Sequence, residues 1–137
     1  MPRRARLRNQ DGFIRGLVWM VVILAVISVV ILDGMAIFNA YQTAGNASGD
    51  AAEAAVTEYA QSTSVESAQL AAQQHADKGR LKIVKFTMGQ TPEGNVKVTV
   101  TGKTTAETYA FRYLGLIPPL EDWVERTTHP IRTGTAE

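Results

Sequence analysis

From Leu17 to Leu32 the chain reads LVWMVVILAVISVVIL, sixteen residues in which Ser28 is the sole polar side chain. Every face of this run is apolar, unlike the one-sided stripe of a helix lying on a soluble core. At 1.5 Å per residue it covers about 24 Å, short of a hydrocarbon layer of roughly 30 Å. Phe13 and Ile14 extend it at one end, where Arg15 can snorkel towards headgroups. Met35, Ala36, Ile37 and Phe38 extend it at the other, past Asp33 and Gly34. The pattern predicts a transmembrane helix over residues 13–38, with Trp19 near the inner interface.

Beyond residue 38 the chain becomes rich in Ala, Gln and Ser and free of proline until after Gly79. Ala and Gln favour helix, whereas Gly45 and Gly49 read as interruptions. The expectation is an anchor helix running on to Ala44, then a second helix over residues 51–61 capped by Asp50. Thr63 with Glu66 fits a capping box that restarts the helix, and Gly79 ends it. Val65, Ala68, Ala72 and Ala76 recur at helical spacing, a narrow face that packs closely but buries too little apolar area to stand alone.

After Gly79 the period shortens to two. Leu81, Ile83 and Lys85 alternate with Lys82, Val84 and Phe86, and Val96, Val98 and Val100 alternate with Lys97, Thr99 and Thr101. The turn formers from Gly89 to Asn95 lie between them, so the two runs predict a β-hairpin. Thr105 to Leu114 (TAETYAFRYL) reads as a short amphipathic helix, and Leu116-Ile117-Pro118-Pro119-Leu120 as an apolar loop. The segment from Trp123 to Ala136 reads as a last strand, with Pro130 marking an edge or a break.

Charge orients the anchor. Residues 1–15 carry Arg3, Arg4, Arg6, Arg8 and Arg15 against Asp11, while residues 39–137 carry nine Lys/Arg against eleven Asp/Glu. Beside an apolar span such a cluster sets topology or touches anionic lipid. Without interleaved aromatics it does not read as a nucleic-acid arm. The expected location is the cytoplasmic (inner) membrane, single-pass, with residues 1–12 cytoplasmic and the rest exported. A cleaved secretory signal is the competing reading, but this run exceeds the usual signal core, and Leu32-Asp33-Gly34 is a poor cleavage site. There is no cysteine, so disulfides and thiolate chemistry are excluded.

These features resemble the TadE/TadG-like proteins of the tight-adherence (Flp-type) pilus system, over nearly the whole chain. The resemblance rests on the Arg-rich start, Asp11-Gly12, the apolar span and Asp33-Gly34 at its outer end. It continues through Gln42, Ala44, Ala47, Asp50, Ala51 and Ala52, Val-Thr-Val-Thr at 98–101, and Phe111-Arg112-Tyr113-Leu114-Gly115. It implies an α+β, pilin-like fold: a long N-terminal membrane-anchoring helix, continued by an Ala-rich helical region over 39–79, packed on a small antiparallel sheet within 80–137. The implied function is a minor pilin-like or accessory subunit in pilus assembly, whose partners are the bilayer and other pilin-like subunits. Prepilin-like members are cut after a glycine and carry a glutamate five residues on. Here the candidate is Gly12, with Phe13 as the new terminus, but the fifth residue is Leu17; Gly16 leads to Val21. An uncleaved TadG-like anchor fits these residues better.

Asp33, Gly34, Ala40, Ala44 and Ala47 are the candidate assembly contacts. A carboxylate inside a membrane calls for a partner, such as an amine on a neighbouring subunit; at the outer interface it would simply be solvated. The Ala/Gly stretch from Ala40 to Ala55 suits close approach of another helix, or intramolecular packing on the hairpin. Asn46-Ala47-Ser48 matches a glycosylation sequon. Neither His75 nor His129 has neighbours spaced to hold a metal, and no Ser or Thr is paired with a base. No enzyme activity, cofactor, small-molecule substrate or nucleic-acid partner is expected. The alternative to a pilus subunit is a signal-anchored extracytoplasmic binding module.

Overall fold

The computed structural model describes residues 7–137, with side chains from residue 12 onward. Of the basic cluster, Arg3, Arg4 and Arg6 lie outside the described residues, as do the side chains of Arg8 and Asp11. The fold is α+β. Helix α1 (Leu7–Ser62) is followed by α2 (Val65–Lys78), the hairpin β1 (Lys82–Gln90) and β2 (Val96–Lys103), then α3 (Phe111–Leu114). A 3₁₀ turn (Pro118–Leu120), α4 (Glu121–Thr128) and β3 (Ile131–Ala136) complete the chain.

α1 is one uninterrupted rod of 56 residues, about 84 Å long. The breaks expected at Gly45 and Gly49 do not occur. A glycine inside a helix costs about 1 kcal/mol, and here that cost is offset by packing, because Ala44, Ala47, Ser48, Ala51, Ala52 and Ala55 around them are all buried. The rod ends at Thr63, whose φ of 52° lies in the left-handed region and whose N–H donates to the Tyr59 carbonyl at 2.8 Å.

The cap of α2 is Ser64, not Thr63: the Ser64 hydroxyl accepts from the Ser67 N–H at 3.3 Å. Ala68, Ala72 and Ala76 are fully buried, while Val65, expected on the same face, is exposed. α2 folds back along α1, and its C-cap Gly79 reaches Ala47. A Cβ on Gly79 would stand 2.5 Å from that of Ala47. Alanine faces alternate across this seam, so the two backbones lie close and the contact is dispersion-rich despite its small side chains.

The sheet has the order β1-β2-β3, antiparallel throughout. Val98 and Val100 of β2 are fully buried against the helices, with Ile83, Phe86, Met88 and Val96 packed around them. A register shift between Ile83 and Lys85 turns Val84 out to solvent, which explains the impure alternation of β1. On the outer face the paired Thr101 and Thr133 hydroxyls meet at 3.0 Å. β3 lies directly on α1. Gly134 faces the backbone of Ser48 and Gly49 with no room for a Cβ, and the Ser48 hydroxyl donates to the Arg132 carbonyl at 3.2 Å.

Two expectations fail in the C-terminal third. Residues 104–108 form an extended strap rather than a helix, with Thr104, Ala106 and Thr108 turned inwards. The Ala106 N–H donates to the Thr128 carbonyl at 2.7 Å, and the Thr104 hydroxyl donates to the Arg80 carbonyl at 3.2 Å. These tertiary partners replace the bonds a helix would supply. The segment expected as one strand from Trp123 is α4 up to Thr128, and β3 starts only after Pro130. Glu121 and Asp122 in the first turn of α4 and Arg126 in its last complement the helix dipole.

Candidate functional site

The sharpest feature of the molecule lies where α1 passes from bare to covered. Large side chains from Phe13 to Leu32 are exposed around the rod, including Phe13 at 74% and Trp19 at 60%. The next residue, Asp33, is 0% exposed. The N–H of Tyr109 donates to its Oδ1 at 2.6 Å, and the N–H groups of Ala110 and Phe111 donate to its Oδ2 at 2.8 and 2.9 Å. Three donors and no competing acceptor fit an ionised carboxylate, and charge-assisted bonds of this kind are about twice as strong as neutral ones.

Asp33 therefore works as a latch. It ties α1 to a segment more than 70 positions away in sequence, at the point where the strap ends and α3 begins. The ring of Phe111 stacks on Trp123 of α4 with centroids 5.5 Å apart, so the latch also holds α4. Neither expectation for this side chain describes what is found: it is not solvated, and its partners are backbone amides of its own chain. Sequence reasoning missed those partners because backbone donors carry no residue signature.

The other candidate residues separate into two groups. Ala40, Ala44 and Ala47 are buried within the chain, on the face of α1 that meets α2 and the sheet. Gly34 faces open space. Gly12 and Phe13 lie inside the continuous helix α1 with nothing packed on them. The Asn46-Ala47-Ser48 sequon is helical and its Ser48 is fully buried, so its hydroxyl is committed to β3. In the Leu116–Leu120 segment, Leu116 is 78% exposed and Ile117 is exposed as well.

His75 and His129 turn their Nδ1 atoms to the carbonyls of Ala71 and Glu125, one helical turn back. Among the described residues no three His, Asp or Glu side chains are grouped to hold a metal. A cleft between the strap and α4 is walled by Thr105, Glu107, Tyr109, Arg112, Glu121 and Glu125. Thr128 and His129 line it too, with Oγ1 and Nδ1 3.1 Å apart, but the Thr128 hydroxyl is buried and also lies 2.8 Å from the Val124 carbonyl that accepts from it. The Asp33 arrangement couples a bare apolar rod to a small folded head. Compared with protein-family models, with curated proteins and with solved structures, the chain finds no match in any of the three.

Proposed function

We propose that this chain is a membrane-anchored structural subunit, similar to TadE/TadG-like proteins, in the assembly of a tight-adherence type pilus or a related secretion system. The observation that carries the reading is the continuity of α1 through Asp33. A binding module needs no fixed orientation relative to its anchor, whereas a subunit packed among neighbours does. Here no hinge separates the rod from the head, since Asp33, Ala40, Ala44, Ala47, Ala51, Ala52 and Ala55 of the rod are themselves buried in the head. A lateral contact made in the bilayer would thus set the orientation of the head, which is what a subunit passed between neighbours requires.

In this reading Phe13 to Leu32 cross the bilayer. Twenty residues give about 30 Å, the thickness of the hydrocarbon layer. The span is shorter than 13–38 because the head begins to cover the rod at Asp33. The arginines before it place the N-terminus in the cytoplasm. A cleaved signal fits less well, since removing a leader anywhere near Leu32 would cut beside the latch. The covered alanines hold the head together, so subunit contacts fall on the bare part of the rod and on the exposed side of its upper half.

The test is to tag the C-terminus, extract membranes in mild detergent and identify co-purifying proteins by mass spectrometry. Pilin-like proteins together with an assembly platform are expected. Recovery of unrelated envelope proteins, or of this chain alone, would favour an anchored binding module. Genes for an assembly ATPase and pilins beside this one would point the same way as the first outcome.

A further inference from the structure

The latch fixes more than one helix. It pins the backbone of Tyr109, Ala110 and Phe111 at the level of Asp33, one residue past the end of the bare apolar rod. The stretch that begins at these residues is unusual for a protein surface. Tyr109 is 66% exposed, and Tyr113, Leu116, Ile117 and Trp123 are exposed as well. From residue 108 to residue 120 the only charged side chain is Arg112, whose guanidinium lies over the Tyr113 ring at 4.7 Å. Acidic residues border the stretch, with Glu107 before it and Glu121 and Asp122 after it.

On the rod, Met35 and Phe38 carry exposed apolar surface a further turn past the latch. A soluble protein rarely gathers this much apolar surface in one place. The mixture of Tyr, Trp, Leu and one Arg is the composition favoured at the boundary between hydrocarbon and headgroups.

We propose that residues 109–120, together with the Trp123 ring, form a second membrane contact, an apolar collar that rests in the interface of the leaflet where the rod emerges. The proposal rests on the reading of Phe13 to Leu32 as a membrane span. Given that span, the latch leaves the collar at lipid level, and its apolar tip, Leu116 and Ile117, enters the acyl boundary while Arg112 meets the headgroups. The acidic border turns back towards water. The head is then held at two points, the rod and the collar, and cannot swivel about the rod. Because the contact is apolar and carries one cation between acidic flanks, a zwitterionic lipid surface suffices for it.

The two tryptophans, Trp19 and Trp123, make the test self-controlled. The full chain is reconstituted in phosphatidylcholine vesicles as Trp19→Phe, leaving Trp123 to report on the collar, and as Trp123→Phe, leaving Trp19 to report on the rod. Quenching is measured with lipids brominated near the headgroup or near the chain end, and with aqueous iodide. The collar predicts that Trp123 is quenched by lipid bromine, more strongly at the shallow position, and is sheltered from iodide. In the Trp19→Phe background, Leu116→Asp with Ile117→Asp should reverse that preference, and the same pair in the Trp123→Phe background should leave Trp19 unchanged. If Trp19 is lipid-quenched while Trp123 answers only to iodide, the collar is wrong and the anchor stands. If neither answers to lipid, both fall. If Trp123 is shielded from both quenchers, a protein surface such as a second copy covers it, which also overturns the proposal.

Discussion

Replacing Asp33 by Ala removes one acceptor group and strands three donors, the N–H groups of Tyr109, Ala110 and Phe111. A hydrogen bond to a charged group contributes about 1.5–3 kcal/mol net. Three such bonds sharing one carboxylate do not add independently. Because the substitution takes the charge away and the freed neutral amides rehydrate when the strap lifts, the cost should be that of losing one charged acceptor, about 1.5–3 kcal/mol. The loss is local, because the seam of α1 with α2 and the sheet contains none of these atoms.

Hydrogen exchange with mass spectrometry, on the full chain in detergent or nanodiscs, separates the local effect from the global one. At 1.4 kcal/mol per tenfold, amides 109–111 should exchange about ten- to a hundredfold faster in Asp33→Ala. Those of α2 between Ala68 and Ala76 should keep their protection. Asp33→Asn retains one acceptor oxygen and loses the charge, so it should fall between the two. Unchanged exchange at 109–111 in Asp33→Ala, or equal loss of protection throughout the head, would refute the latch.

Three further substitutions probe the packing, with stability read from chemical denaturation. Gly134→Ala places a Cβ on the Ser48 and Gly49 backbone, and since backbone cannot yield as a side-chain tip can, β3 should lift at a cost of about 1–3 kcal/mol; wild-type stability would show that β3 does not lie on α1 as described. Gly45→Ala and Gly49→Ala meet nothing within 4 Å and should each stabilise the head by about 0.5–1 kcal/mol; a loss would place a neighbour against this face of the rod. Thr63→Gly removes a β-branched residue from the left-handed region and should add about 1 kcal/mol; no gain would mean that the turn relaxes without it.

The range of the forces involved separates the legible part of this fold from the rest. The apolar rod, the alanine face of α2 and the alternating valines of β2 depend on spacing within one element, and they appear as expected. The continuity of α1 does not depend on spacing alone. Gly45 and Gly49 look like breaks until the buried alanines around them are set against their cost, and that burial comes from other elements, α2 folded back along the rod and the sheet. The strap at 104–108 is the same case, since its helical propensity gives way to partners on Arg80 and Thr128. Asp33 stands out in the sequence as a charge at the edge of an apolar run. Its satisfaction by three amides of its own chain has no signature there, because backbone donors are present at nearly every position.

The central claim is that the rod docks laterally on other subunits while the latch keeps the head aligned with it. Site-specific photocrosslinking in intact cells tests this most directly, with the probe at Leu24 in the bare rod and at Phe38 above the latch, both exposed. Discrete adducts with pilin-like subunits from both positions are predicted, and they should weaken at Phe38 when Asp33 is replaced by Ala. Adducts with lipid alone at Leu24 and with unrelated envelope proteins at Phe38 would contradict the account.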